Sequence, residues 1–161
     1  VEFPGVLYRG GAEQKIRKYL VDNNYVDTVI QLPPDLFFGT TIATCIIVLK
    51  KSKNDNKTLF IDASAEFVRG GNKNKLSDAN RAKILEAFTE RSDKEYFAKV
   101  VDNKTIEDND YNIAVSSYVV KEDTREVVDI TELNEKITKI VTRQNDLRIA
   151  IDEIVADIER K

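Results

Sequence analysis

The residues most suggestive of chemistry stand around Pro33 and Pro34, where an acid and two aromatic side chains follow the proline pair. An amine-modifying site can be built from Asn or Asp directly before Pro-Pro and an aromatic residue directly after it. The side-chain oxygen and a carbonyl then hold the amine while the ring stacks on it. Here Leu32 precedes the prolines and Asp35 follows them. The order is wrong for that chemistry, so the stretch has to be understood from its surroundings.

Composition excludes several classes of catalytic site. The sequence contains no histidine, which excludes imidazole metal sites and histidine-based triads. Its single cysteine, Cys45, lies in the apolar run 44–49, where a buried thiol is favoured over a disulfide or a metal ligand. This use of cysteine predicts a reducing compartment, the cytoplasm. Asp62, Asp108 and Asp110 show no paired-carboxylate pattern and are interpreted as turn and cap residues. We predict no catalytic residue and no metal site in this chain.

Length and charge bound the organisation. With 161 residues, 42% of them hydrophobic, the chain suits one domain with a substantial core and is too short for two ordinary ones. A formal net charge of −3 gives no overall basic surface, so any nucleic-acid contact has to be local or shared with a partner. No run is long and apolar enough to predict a membrane span, and no signal peptide opens the chain. It begins at Val1 without any methionine, and we expect a piece of a longer protein.

Hydrophobic periodicity predicts an α/β domain. Ile16, Tyr19 and Leu20 recur at helical spacing and predict an amphipathic helix over 12–23. The nearly continuous apolar run at 42–49 predicts a strand buried on both faces. The other predicted elements are strands at 26–32 and 58–63, a basic loop at 69–75, a helix capped by Ser77, and short strands or extended segments at 96–101 and 111–120.

The C-terminal part carries a heptad pattern, in which apolar positions alternate by fours and threes. Asp129 and Glu132 are spaced as a capping box, with Val128 and Leu133 placed as a hydrophobic staple. A helix of about 30 residues would be roughly 45 Å long. We favour docking on a partner over packing on the helix's own sheet, because a bare stripe of this length invites aggregation. The predicted seam consists of Leu133, Ile137, Ile140, Gln144, Leu147, Ile151, Ile154 and Ile158.

Several motifs in one order carry a family resemblance. They are PGVLYRGGAE at 4–13, IRKYL at 16–20, VIQLPPDLFFGT at 29–40, IATCIIVLK at 42–50, FIDAS at 60–64, NKL at 74–76 and DYNI at 110–113. In this order the sequence resembles the modification subunit of type I restriction systems, and the resemblance covers essentially the whole chain.

The resemblance implies the fold class. It implies the last part of an α/β, Rossmann-like, adenine-specific and S-adenosylmethionine-dependent methyltransferase, whose mostly parallel sheet ends in an antiparallel hairpin before the long helix. Residues 1–120 would belong to the catalytic domain, 121–128 to a charged linker and 129–161 to a helix for subunit docking. The Pro33-Pro34 stretch would be the turn between the sixth and seventh strands. An open parallel edge is expected where earlier strands would pair.

The resemblance also implies what lies elsewhere. The glycine-rich cofactor loop and the catalytic Asn-Pro-Pro-Phe would both lie upstream of Val1. We therefore expect S-adenosylmethionine to bind the full-length enzyme, with no cofactor on this chain alone and no methylation by it. The implied partners are DNA, the specificity subunit, a second modification subunit and, in the full complex, the restriction subunit, with no membrane. The alternative is a non-catalytic protein-interaction module that uses the heptad helix.

Five side chains are candidates for contact with DNA. By the resemblance, Phe37 would stack on the flipped target base, and the alternative is that Phe37 and its neighbour Phe38 are packing aromatics. Arg9, ahead of a glycine pair and a helix, is a candidate for a phosphate, although such glycines also serve as turn punctuation. The loop at 69–75 contains no acid, and its candidates for the DNA backbone are Arg69, Lys73 and Lys75, with a solvated surface loop as the alternative.

Overall fold

The computed structural model describes residues 2–121 and 130–159. The chain divides into two compact units between residues 122 and 123, and each is described by itself. The first unit begins with a 3-10 turn at Pro4–Leu7. Its elements are then α1 (Ala12–Asp22), β1 (Val26–Gln31), β2 (Cys45–Leu49), β3 (Lys57–Asp62), β4 (Val68–Gly70), β5 (Lys73–Lys75), α2 (Asp78–Glu90), β6 (Ala98–Asp102), α3 (Asn103–Asp108) and a second 3-10 turn at Val115–Ser117.

A four-stranded mixed sheet forms the centre of this unit, in the order β2-β1-β3-β6. β1 and β3 are parallel, β2 is antiparallel to β1, and β6 is antiparallel to β3. The predicted antiparallel hairpin is therefore present as β1 and β2. The expected open parallel edge is wrong for the described sheet. Each edge strand is antiparallel to its neighbour in the sheet. The chain reverses in the loop between β1 and β2, and after α2 it returns as β6 beside β3.

The two faces of the sheet bury different residues because successive side chains of a strand point to opposite sides. On one face, Val29 and Phe60 are fully buried with Leu7, Ile106 and Val115. On the same face the ring of Tyr118 stacks on Phe60, with 4.3 Å between centroids. On the other face, a second cluster contains Ile30, Leu59, Ile61, Ala87 and Phe97. Helices cover both faces, which is the arrangement of an α/β fold.

The strand predicted at 42–49 is shorter and more exposed than expected. β2 begins at Cys45, and Ile42 and Leu49 are 60% and 53% exposed. The reason is that β2 lies at the edge of the described sheet. Cys45 donates to and accepts from the backbone of Glu2, both at 2.8 Å. Strand alternation points the main-chain groups of Ile47 to the same outer side, where the described residues give them no strand partner.

Helix α1 is confirmed, but its buried face differs from the prediction. Ile16 and Tyr19 are 60% and 59% exposed, whereas Arg17 is 4% exposed. The Arg17 guanidinium donates to the carbonyls of Tyr111 and Val6, both at 2.8 Å. Burial lowers the pKa of Arg17 below its ordinary value. Hydropathy alone predicted the wrong face because it could not anticipate a buried arginine that is satisfied by two carbonyls.

Three further segments sharpen the predictions. The expected basic loop at 69–75 is a hairpin of β4 and β5, and its turn uses Gly71 at φ +66°. Asp108, interpreted as a turn or cap residue, is the last residue of helix α3, and the 111–120 segment contains a 3-10 turn instead of a strand. The cap on α2 is confirmed: the Ser77 hydroxyl accepts from the Asn80 backbone, and the Asn80 side chain accepts from the Ser77 backbone.

The described part of the second unit is a single helix, α4 (Ile130–Glu159), which confirms the long C-terminal helix. Every predicted seam residue on it is exposed, from 47% at Leu133 to 68% at Ile158 among the apolar ones. The predicted linker beyond Lys121, with Val128 and Asp129, lies outside the described residues, and so does the side chain of Glu132. None of the helices in the described ranges is long and apolar enough to cross a membrane.

Candidate functional site

The candidate site lies where the parallel strands β1 and β3 end. Ligands of open α/β sheets bind in the crevice outside the carboxyl ends of such strands. β1 ends at Gln31 and β3 at Asp62, and the two residues pair directly. The loop of residues 33–44 follows β1, and the segment that leads into the β4–β5 hairpin follows β3. Both predicted DNA-contact groups, Phe37 and the basic residues of 69–75, therefore belong to segments that start from this edge.

The loop after β1 is closed at its base and presents its aromatic residues at its tip. The Asp35 N–H donates to the Thr41 carbonyl at 3.3 Å, and Asp35 has φ +57°, a left-handed conformation that Asp tolerates. Leu36 packs against the cluster under the sheet. Phe37 is then 41% exposed, and Phe38 is 95% exposed. Both rings are open to a ligand, and Phe38 is the more accessible.

Asp35 is the meeting point of the loop and the hairpin. Lys73 Nζ lies 2.7 Å from Asp35 Oδ1, and Arg69 donates to Asp35 Oδ2 at 3.0 Å. Lys73 also donates to the Thr40 carbonyl at 3.2 Å. The hydrogen bond from Lys73 is the main reason that the pKa of Asp35 lies below its ordinary value, and Arg69 adds to the effect.

Asn74 forms a second connection between the same segments. It is only 5% exposed. Its side-chain amide donates to the Pro34 carbonyl at 2.8 Å, and its backbone N–H donates to the Asp35 carbonyl at 3.0 Å. Its Oδ1 accepts from Arg69 at 3.1 Å. Asn74 was not among the predicted site residues, and only its place inside the NKL motif marked it.

The four predicted basic candidates differ in their surroundings. Lys75 is exposed on the hairpin, and its aliphatic carbons lie against Gly70. Arg69 keeps 60% of its side chain exposed, whereas Lys73 keeps 26%. Arg9 is exposed after the first 3-10 turn, and among the described residues no hydrogen bond joins it to the Asp35 cluster. The hairpin thus brings three of the four candidates together beside the aromatic loop.

The polar groups around this edge include two other buried side chains. Asp62 is 7% exposed and accepts from the Ser64 backbone N–H at 2.9 Å, as a turn residue does. Thr44, at the end of the loop, is 5% exposed, and its hydroxyl is without a hydrogen-bond partner in the described ranges. Across the same ranges, no group of three or more His, Cys, Asp or Glu side chains could hold a metal ion.

The sequence is similar to a known protein family and to individual methylase subunits. A family model described as N-6 DNA Methylase matches residues 1–127. The type I restriction enzyme MpnII methylase subunit of Mycoplasma pneumoniae is 48% identical over 158 residues, which is 98% of this chain and 29% of that protein. The MjaVIII methylase subunit of Methanocaldococcus jannaschii is 40% identical over 142 residues, 84% of this chain and 25% of that protein.

Solved structures give the same answer at the level of the fold. The crystal structure of a type I restriction-modification methyltransferase subunit from Streptococcus thermophilus matches 73% of this chain and 25% of that chain, with a TM-score of 0.71 and 45% identity. This chain spans less than a third of the length of each of these relatives. The resemblance read from the sequence motifs is confirmed, and the chain belongs to the N-6 DNA methylase family, alongside the methylase subunits of type I restriction enzymes.

Proposed function

We propose that this chain forms the C-terminal part of a type I restriction-modification methylase subunit and supplies the target-base side of its site. The assembled enzyme would methylate the exocyclic amine of adenine in DNA, in the cytoplasm, with S-adenosylmethionine as the methyl donor. The observation that carries the proposal is the exposed pair Phe37 and Phe38 at the carboxyl end of β1. An aromatic face at that position suits stacking on an extruded base.

Contact with the DNA backbone is assigned to the four predicted basic residues, three of which lie beside this loop. Lys75 and Arg69 have exposed side chains on the hairpin, and Arg9 is exposed on the first unit. Lys73 is the least accessible of the four because Asp35 holds it. Phosphate contacts by such residues add affinity that falls with salt and carries no sequence information. The base sequence of the target would then be read elsewhere, in keeping with a specificity subunit.

The cofactor is assigned to parts of the subunit outside this chain. A nucleotide-type cofactor of an α/β sheet binds a glycine-rich turn between a strand and a helix. The glycine pair at Gly10 and Gly11 precedes α1 but follows a 3-10 turn, so the described residues do not fit that site. The sequence also has no Asn or Asp directly before a Pro-Pro pair. We therefore propose that the cofactor and the catalytic tetrapeptide belong to parts of the subunit outside this chain.

Helix α4 is assigned to subunit docking. Its apolar seam is exposed along the whole described helix, and a heptad seam of this kind buries itself against other helices. We propose that its partner is the specificity subunit, with a second modification subunit and, in the full complex, the restriction subunit in the same assembly. The exposed seam equally favours the second candidate function, a non-catalytic interaction module that uses α4 and binds neither cofactor nor adenine.

Calorimetric titration of S-adenosylmethionine tests the proposal. The cofactor is titrated into this chain and, in parallel, into the methylase subunit that contains it. Binding to the longer protein alone is the expected result and favours the enzyme over the interaction module. Binding to neither protein would favour the module, and binding to the chain itself would mean that the glycine pair before α1 has to be reconsidered as a cofactor site.

A further inference from the structure

The ion pairs of Asp35 carry an inference that rests on the proposed function and deepens it. We infer that Asp35, through its ion pairs with Lys73 and Arg69, is a positioning residue. It holds the aromatic loop in the conformation that meets the target base. Lys73 would then act through Asp35 rather than on a DNA phosphate. The β4–β5 hairpin would serve as the support of the loop.

The first argument is the number and placement of the bonds. Between residues 34 and 41 the loop is bonded to the hairpin at three residues, two at its start and one near its end: Pro34, Asp35 and Thr40. The Asp35 N–H closes the base onto Thr41. Leu36 is the inward anchor of the loop. What is left outside these fixed points is the tip, residues 37–39, which carries both phenylalanines and Gly39 at φ +78°.

The second argument is electrostatic. The carboxylate of Asp35 is only 19% exposed and faces two cations, so its charge is balanced and its hydrogen-bonding capacity is used on both oxygens. Without these partners, the part-buried carboxylate would lose the compensation for its desolvation. The hairpin therefore supports the loop conformation, since both cations that face the Asp35 carboxylate come from the hairpin.

The third argument concerns Lys73 itself. A lysine that reaches for phosphate keeps its ammonium in solvent, whereas this one lies 2.7 Å from Asp35 and 3.2 Å from the Thr40 carbonyl. Lys75, two residues along the same hairpin, has no such bonds among the described residues and is exposed. Within a single strand, Lys73 is thus suited to supporting the loop, and Lys75 is suited to contacting a phosphate.

The test uses the methylase subunit that contains this chain, assembled with its partners. The DNA substrate is taken from sites that the unaltered enzyme methylates, with 2-aminopurine in place of the target adenine for the fluorescence experiments. Asp35→Asn removes the charge that both cations contact, Lys73→Met removes one of the two ion pairs, Lys73→Arg retains a cation there, and Lys75→Met is the matched control on the same hairpin. Methylation is measured in single turnovers, and the Kd for S-adenosylmethionine is measured separately.

We expect Asp35→Asn and Lys73→Met to slow the methylation step by about 10-fold to 100-fold, the scale of a misplaced reacting group. The fluorescence of the extruded 2-aminopurine should change in the same two variants. The Kd for the cofactor and the salt dependence of DNA binding should stay as in the unaltered enzyme. Lys73→Arg should recover most of the rate, and Lys75→Met should change the salt dependence without changing the fluorescence.

Two results would overturn the inference. One is unaltered single-turnover methylation in both Asp35→Asn and Lys73→Met. The other is a loss in Lys73→Met that is explained entirely by weaker, less salt-dependent DNA binding, which would make Lys73 a phosphate contact. Thermal melting of each variant separates these results from loss of folding, and Arg69→Met replaces any variant that does not fold. An unaltered enzyme that methylates no DNA would instead refute the proposed function.

Discussion

At the scale of single residues, two charged side chains join segments that are far apart in the sequence. Arg17 ties α1 to the carbonyls of Val6 and Tyr111, and Asp35 ties the aromatic loop to the hairpin. Buried or part-buried charges are tolerated only with such partners. Each therefore specifies one arrangement of its segments more strictly than an apolar contact of equal size would.

The pKa of Asp35 should depend on its two ion-pair partners. Its pKa lies below the ordinary value because of Lys73 and then Arg69. The contact therefore contributes stability above the unfolded pKa, about 4, and that contribution is lost as the pH falls through the lower folded value. Carboxylate titration by NMR should show Lys73→Met raising the pKa of Asp35, and Lys75→Met leaving it in place. An equal pKa in both variants would contradict the ion pair.

Two phenylalanines lie in opposite surroundings, one packed in the core and one exposed to solvent. Phe60 is fully buried and stacked on Tyr118, whereas Phe38 is 95% exposed. Phe60→Ala should lower the free energy of unfolding by about 3–5 kcal/mol, because it leaves a cavity under the sheet. Phe38→Ala should change it by no more than about 0.5 kcal/mol. Urea unfolding of the chain measures both, and a large loss for Phe38→Ala would assign that ring to packing.

At the scale of elements, the predictions succeeded where a local pattern is clear. Helices α1 and α4 followed from apolar spacing, although Ile16 and Tyr19 proved exposed, and strands β1 and β3 followed from short apolar or β-branched runs bounded by prolines or polar turns. The edge position of β2 could not be predicted, because a continuous apolar run does not say whether a neighbouring strand covers it. The β4–β5 hairpin was missed because its strands are three residues each and polar, which leaves turn residues as their main local signal.

Helix α4 offers a matched pair of substitutions. Ile149 and Ile151 are both 59% exposed, but two residues correspond to about 200° around a helix, so Ile149 lies away from the seam. Ile140→Asp with Ile151→Asp should abolish binding to the specificity subunit and leave the melting of the first unit unchanged. Thr142→Asp with Ile149→Asp should leave binding intact. Co-purification and calorimetry are the measurements.

Loss of cooperative melting in the Ile140→Asp and Ile151→Asp variant would mean that the seam stabilises the chain itself. Equal loss of binding in both double variants would mean that charge or helix stability, and not the seam, controls docking. Either result would mean that the eight seam residues are not the surface that docks on a partner.

At the scale of the whole molecule, the outer side of β2 is a feature that we expect to affect behaviour in solution. Its main chain is engaged at Cys45 by Glu2 and has no strand partner at Ile47 among the described residues. Ile42 and Leu49 add exposed apolar area near it. An unprotected edge of this kind recruits another strand. The isolated chain is therefore expected to self-associate.

Sedimentation of two leucine variants tests that expectation. Leu49→Lys puts a charge at the edge and should shift the chain toward monomer, because charged side chains oppose edge-to-edge pairing. Leu85→Lys replaces an equally apolar and 63% exposed residue on α2 and should leave association unchanged. Both are made in the Ile140→Asp and Ile151→Asp background, so that α4 does not contribute. A monomeric parent protein would refute the role of the edge.

For the candidate site, the sequence supplied the parts but not their connections. The motif VIQLPPDLFFGT located the aromatic loop, and the absence of acids in 69–75 located the cations. That absence leaves the three cations to be satisfied by water or by an acid from another segment. The partner is 34 residues from Arg69, a separation that no local pattern reveals. The contact depends on the chain topology, which brings both segments to the carboxyl ends of β1 and β3.

The stack of Tyr118 on Phe60 has a mechanical consequence. The Tyr118 hydroxyl donates to the Asn112 carbonyl at 2.5 Å, and Val119 is buried just before the described part of the first unit ends at Lys121. A pulling force applied to the chain at residue 121 would therefore reach the sheet at β3, one of its two central strands. We expect a force applied there to load this aromatic stack before it loads an edge strand.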